Sequence, residues 1–191
     1  MGRDARHGAR TRTPGRAAVA RRRKLARLDP AVGGEANRLR DALPSEVSDT
    51  LARHEAAGST GDTEYREAML VFYARHLCRL DLWPAEVTRT FVLLEEDPMV
   101  YGTMNGPNEF HVVGTLRDWD ITERLGEIEV PTLLLSGRYD EATPRIVGEM
   151  HNRIARAEWV LFEESSHMPH VEERDRFLAT VEAFLERVEA A

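Results

Sequence analysis

From Glu35 to about Met104 the apolar residues recur every three or four positions. Ala36, Leu39 and Leu43, followed by Val47 and Leu51, keep that spacing, which lines them up on one face of α-helix. Ala68, Met69, Phe72, Tyr73 and Leu77 make a second stripe behind Thr63, and Val87, Phe91 and Leu94 a third behind Pro84-Ala85-Glu86. Proline loses no helical hydrogen bond at the first turn, so Pro84 reads as a helix start. The loop A-G-S-T-G-D, Ala57 to Asp62, separates two of these helices.

After Trp119 the pattern changes to an alternation of helix and strand. It predicts a short helix from Ile121 to Ile128, a strand from Thr132 to Ser136 and a helix from Pro144 to Ile154. A strand from Trp159 to Phe162 follows, then an amphipathic helix from about Glu172 to Val188 with Phe177, Val181, Phe184, Leu185 and Val188 on one face. Such an order predicts two parallel strands joined by a helical crossover, an α/β arrangement. No internal repeat is visible. The expected organisation is a tail over residues 1–34, a helical unit over 35–119 and an α/β unit over 120–191.

Composition sharpens the first of these boundaries. The 191 residues are 42% hydrophobic and 31% charged, as in a soluble globular protein, and no apolar run is long enough to span a membrane. Residues 1–34 hold ten of the 26 basic residues but only two of the 33 acidic ones, and they lack an apolar period. A disordered basic tail is expected there. The single cysteine, Cys78, excludes an internal disulfide and a cysteine-rich metal site. With no apolar stretch after the basic residues to make a signal peptide, a cytoplasmic location is expected.

The chemistry gathers at the ends of the two strands. V-P-T-L-L-L-S-G-R-Y-D-E-A-T-P, Val130 to Pro144, is an apolar strand that delivers Asp140 and Glu141 just past its carboxyl end. Glu163-Glu164-Ser165-Ser166-His167 follows the second strand. Adjacent parallel strands would bring Asp140 and His167 to the same sheet edge, where α/β sheets hold their sites. An acid that orients a histidine is two-thirds of a nucleophilic triad, and acid before histidine is the order found in α/β-hydrolases. The alternative is that Asp140 caps the following helix and His167 is a surface residue. Trp83, Phe91, Tyr101 and Phe110 could line an apolar pocket, with core packing the simpler role; His151 and His170 read as surface residues.

Several stretches resemble the proline iminopeptidase family: W-D-I at Trp119, P-T-L at Pro131, G-R-Y-D-E-A-T-P at Gly137, S-S-H at Ser165 and M-N-G-P-N-E-F at Met104. The resemblance runs from about Glu35 to the carboxyl terminus. It implies the C-terminal part of an α/β-hydrolase, two parallel strands with helices, preceded by a helical cap. It implies a serine aminopeptidase with Asp140 as triad acid and His167 as general base. Glu109 from the cap and Glu141 from the body would then bind the free α-amino group of a peptide substrate. Carboxylates in a low-dielectric pocket replace the water that a protonated amine gives up. Neither a metal nor a cofactor is expected.

The nucleophile does not accompany these residues. No G-x-S-x-G occurs, the family's Gly-rich oxyanion loop is absent, and Ser59, Ser136, Ser165 and Ser166 are not on a strand–elbow–helix turn. Without a nucleophile and oxyanion donors an acid and a base cannot transfer an acyl group. A GC-rich back-translation of Met1 to Ala9, displaced by one base, permits W-G-G-M-L-G-M-E-H-A, which resembles the family's sequence after its serine. Continued through Arg27 to Val32, the same frame permits S-P-A-S-I/T-P-L-W. The expectation is therefore that residues 1 to about 33 are an out-of-frame translation, and that the chain is a fragment, inactive alone and poorly soluble or molten. The alternative is a non-catalytic binding remnant whose basic tail contacts nucleic acid or acidic partners. An esterase is disfavoured, because a neutral ester needs no amine anchor.

Overall fold

Residues 30–190 are described by the computed structural model, with side chains from Glu35 onward. Most of the expected basic tail lies outside the described residues, as does the expected out-of-frame segment apart from its last few positions. The first helix, α1, covers Pro30–Asp41, so it begins at Pro30 rather than at Glu35 and runs through Gly33-Gly34. Then come α2 (Ser45–Ala57), α3 (Thr63–His76), α4 (Ala85–Glu96) and α5 (Met99–Met104).

The three periodic stripes of the sequence meet in one core. Leu43, Leu51, Tyr65, Ala68, Phe72, Tyr73, Leu77 and Phe110 are buried together, with Ala36, Leu39, Val47, Trp83 and Phe91 packed around them. Burying a side chain of the size of Leu51 or Phe72 contributes about 1.5–3 kcal/mol. Phe110 joins this core although it belongs to the loop that follows α5. Its ring lies 4.5 Å from that of Phe72.

The α/β part starts with a 3-10 helix over Thr122–Glu127, where the pattern predicts an ordinary short helix. β1 (Thr132–Gly137) pairs in parallel with β2 (Ala157–Phe162), with Leu134 opposite Trp159 and Gly137 opposite Phe162. β2 thus starts at Ala157, earlier than the apolar run at Trp159 suggests. α6 (Pro144–Arg153) is the crossover. Leu134 from β1, Ile146 and Val147 from α6, Leu125 and Ile154 form the buried cluster beneath it.

The last predicted helix is α8 (Arg174–Glu189), and a short helix the pattern does not predict, α7 (Pro169–Glu172), precedes it. Glu173 has φ −128° and ψ 53°, outside the helical region. Its carboxylate accepts the Ser165 hydroxyl at 2.6 Å and the Glu164 amide at 3.2 Å. That anchoring separates α7 from α8. Among the described residues no helix is long and apolar enough to cross a membrane.

Among the described residues, two of the contacts between the helical part and the α/β part bear on one segment. Glu35, buried at the start of the described side chains, accepts the Thr143 hydroxyl at 3.0 Å and Arg145 at 3.1 Å. His76, at the end of α3, contacts the Tyr139 carbonyl through Nδ1 at 2.9 Å. Both contacts fall on the segment between β1 and α6.

Candidate active site

The end of β1 is pressed against the loop after β2. The Arg138 amide donates to the Phe162 carbonyl at 2.8 Å and the Tyr139 amide to the Ser165 carbonyl at 3.0 Å. Gly137 lies in the tightest part of this approach. A Cβ there would sit 2.1 Å from the Ser166 carbonyl oxygen and 2.3 Å from that of Ser165, so any side chain would force the two loops apart. Asp140 and His167 are carried by those loops.

They meet. His167 Nδ1 is 2.9 Å from Asp140 Oδ1. The acid is fully buried and the imidazole is 24% exposed. A buried carboxylate accepts and does not donate when ionised, so the imidazole carries its proton on Nδ1 and directs Nε2 the other way. The Ala142 amide donates to the same Oδ1 at 2.9 Å. Asp140 does not cap α6: the N-cap residue is Thr143, whose hydroxyl is turned to Glu35. Glu141 follows directly, with Oε1 3.5 Å from His167 Nδ1.

Glu109 is held from the other side by the helical part. Its loop folds back on itself: the Asn105 carbonyl accepts the amides of Val113 at 2.8 Å and Gly114 at 2.9 Å. Gly106 takes φ +110°, and a Cβ there would lie 2.7 Å from Val113 Cγ2, so only glycine fits the turn. Asn108 is buried and donates to the Tyr65 hydroxyl at 2.6 Å while accepting the His111 amide at 2.8 Å.

The Glu109 carboxylate accepts the Tyr73 hydroxyl at 2.7 Å and the Tyr101 hydroxyl in a short hydrogen bond. Burial pushes the pKa of both hydroxyls well up, and the negative charge of Glu109 adds to it. Both therefore stay protonated donors. The charge of Glu141 raises the same two hydroxyls further. Tyr73 and Tyr101 carry no motif of their own, and nothing in the sequence alone marks them as partners of Glu109.

Other predicted positions sort themselves by geometry. A cavity of about 600 Å³ lies between α3 and α4–α5, with Tyr65, Met69, Tyr73, Phe91, Leu94 and Tyr101 in its wall. Phe91 and Tyr101 thus line a pocket, whereas Phe110 is core and Trp83 stacks on Phe91 at 5.2 Å. His170 is exposed against Phe177, and His151 is half-buried against Trp159.

The four serines considered above are each engaged elsewhere. Ser59 contacts His54, Ser136 accepts from Trp159, Ser165 donates to Glu173 and Ser166 donates to Glu172.

No family model matches the chain. Similar proteins are nevertheless clear. The chain is 41% identical over 154 residues to a proline iminopeptidase of Saccharolobus solfataricus, a match covering 81% of this chain and 49% of that protein. Among solved structures it resembles VinJ, with a TM-score of 0.80 and 47% identity over 83% of this chain and 53% of VinJ. The proline iminopeptidase of Mycobacterium smegmatis is also similar, with a TM-score of 0.75 and 39% identity over 84% of this chain and 54% of that one. The chain spans about half the length of the relatives it matches.

Proposed function

We propose, on the premise that the chain belongs to the proline iminopeptidase family and has the architecture of part of an α/β-hydrolase, that it carries the acid–base pair and the amine-binding carboxylates of a serine aminopeptidase. The reaction is release of an N-terminal proline, or another small residue, from a peptide with a free N-terminus. The observation that carries this reading is the 2.9 Å contact between His167 Nδ1 and the buried Asp140, with Glu141 one residue on.

The pair suits one task. With the Nδ1 proton donated to Asp140, Nε2 accepts the proton of an attacking serine hydroxyl. The buried carboxylate then stabilises the imidazolium, and the same proton passes to the leaving amine. An acyl-enzyme forms on the serine and is hydrolysed in a second round of the same steps.

Glu109 and Glu141 would bind the substrate's ammonium group. Tyr73 and Tyr101 fix the Glu109 carboxylate in place, so the charge is oriented before the substrate arrives. Binding the amine one residue from the scissile bond restricts cleavage to the first residue. The division into a cap, residues 35–119, and a body, 120–191, belongs to this reading. So does a cytoplasmic setting, in which the buried free thiol of Cys78 stays reduced.

The serine itself is not in this sequence, so the chain by itself is read as inactive. Incubated with prolyl p-nitroanilide, the full chain is expected to release no nitroaniline and to take no fluorophosphonate label. It is expected to bind prolinamide by calorimetry, with binding weakened at least tenfold by Glu109→Gln. Turnover, or prolinamide binding indifferent to Glu109→Gln, would count against the reading.

A further inference from the structure

We infer that the carboxyl-terminal end of α3, acting with Glu172, is a clamp that positions the Asp140–His167 pair, and that Arg79 and Glu172 are its positioning residues. The inference rests on the acid–base reading of that pair.

Consider first the histidine side. Glu172 ends α7, five residues beyond His167 in the chain. Its Oε2 accepts the Ser166 amide at 2.9 Å and the Met168 amide at 3.1 Å. One carboxylate oxygen therefore grips the backbone on both sides of His167. Its Oε1 accepts the Ser166 hydroxyl at 2.8 Å and, from the helical part, the Arg79 amide at 2.8 Å. Hydrogen bonds to an ionised acceptor are the stronger kind, and four of them converge here on one group.

The acid side is held by the same stretch of chain. Only a donor can bond a carbonyl, so the His76 Nδ1–H donates to the Tyr139 carbonyl at 2.9 Å. Burial lowers the His76 pKa, which favours the neutral ring, and the Tyr139 carbonyl selects its Nδ1–H tautomer. The Arg79 guanidinium lies 3.5 Å over the Tyr139 ring, a cation–π contact. Tyr139 immediately precedes Asp140. Residues 76–79 thus hold the residue before the acid directly, and the residues flanking the base through Glu172.

One turn earlier on α3, Tyr73 holds Glu109. A single helix end therefore refers the acid, the base and the cap carboxylate to one another. Arg79 and Glu172 stand 93 positions apart, so the link is tertiary. A misplacement of about 1 Å at such a pair is enough to lose most of its effect on rate, which gives the clamp its consequence.

The test is proton NMR of the full chain. A His167 Nδ1 proton shared with Asp140 gives a resonance far downfield of the amide region, assigned by its absence in His167→Gln. Glu172→Ala is expected to remove that resonance while the Trp83 indole signal is unchanged, and Glu172→Gln, which keeps one acceptor oxygen, to retain it. Arg79→Ala, which takes the guanidinium off the Tyr139 ring but keeps the amide on Glu172, is expected to broaden it through faster exchange. A sharp, unmoved resonance in both Glu172→Ala and Arg79→Ala overturns the clamp. If Glu172→Ala does not fold, Arg79→Ala decides the acid side of the clamp by the same criterion. A wild-type chain without the resonance overturns the acid–base reading, and the clamp with it.

Discussion

Phe72→Ala is expected to cost about 3–5 kcal/mol of stability, the range for removing a buried aromatic ring from a packed core. The Phe72 side chain is completely buried, and its ring lies 4.5 Å from Phe110 and 4.9 Å from His76. Small domains are stable by only about 5–15 kcal/mol, so the loss is a large share of the whole. It also has a local reach. Phe110 follows Glu109, and His76 touches Tyr139 beside Asp140. The substitution is therefore expected to abolish prolinamide binding at urea concentrations where the wild type still binds. Urea melts of the two proteins measure it; a difference below about 1 kcal/mol, smaller than any buried aromatic-to-alanine change of this kind, would mean that the ring is not packed as described.

The second large effect concerns rate and needs a nucleophile. Joined to the half of the Mycobacterium smegmatis proline iminopeptidase that it does not match, the chain is expected to hydrolyse prolyl p-nitroanilide. Asp140→Asn in that fusion is expected to lower kcat by roughly 10⁴-fold, the loss that removal of the acid's charge causes in a serine–histidine–aspartate triad. The neutral amide still fills the space and can still bond the Ala142 amide, so the fold is retained. It cannot stabilise the imidazolium that forms when His167 takes a proton. Steady-state kinetics with a parallel thermal melt separate the two effects. A loss of less than tenfold in a folded fusion would remove Asp140 from the role proposed for it.

Much of this arrangement was legible in single elements. β1, α6 and β2 follow from local apolar pattern and from Pro144 at the start of a helix. The meeting of Asp140 and His167 follows from two acidic or polar loops that leave consecutive parallel strands. The helical part was legible as stripes, because Leu51, Phe72 and Phe91 each fall in a run at helical spacing.

Contacts between distant residues were not legible. Tyr73 lies 36 positions from Glu109 and Arg79 lies 93 from Glu172, and no periodicity connects them. α1 reaches back through two glycines, against their helix propensity, so composition placed its start too late. Glu109 and Glu141 were found through resemblance to the proline iminopeptidases. Periodicity and spacing alone would have left them as a loop acid and a neighbour of Asp140.

The central claim is that Glu109 and Glu141 read a free amine beside the Asp140–His167 pair. The most direct measurement compares kcat/KM of the fusion with the Mycobacterium smegmatis proline iminopeptidase half for prolyl p-nitroanilide and for its N-acetylated form. The account predicts hydrolysis of the free-amine substrate, with the acetylated one slower by at least a hundredfold, and a collapse of that ratio in Glu109→Gln. Equal hydrolysis of both substrates by the folded fusion would contradict it.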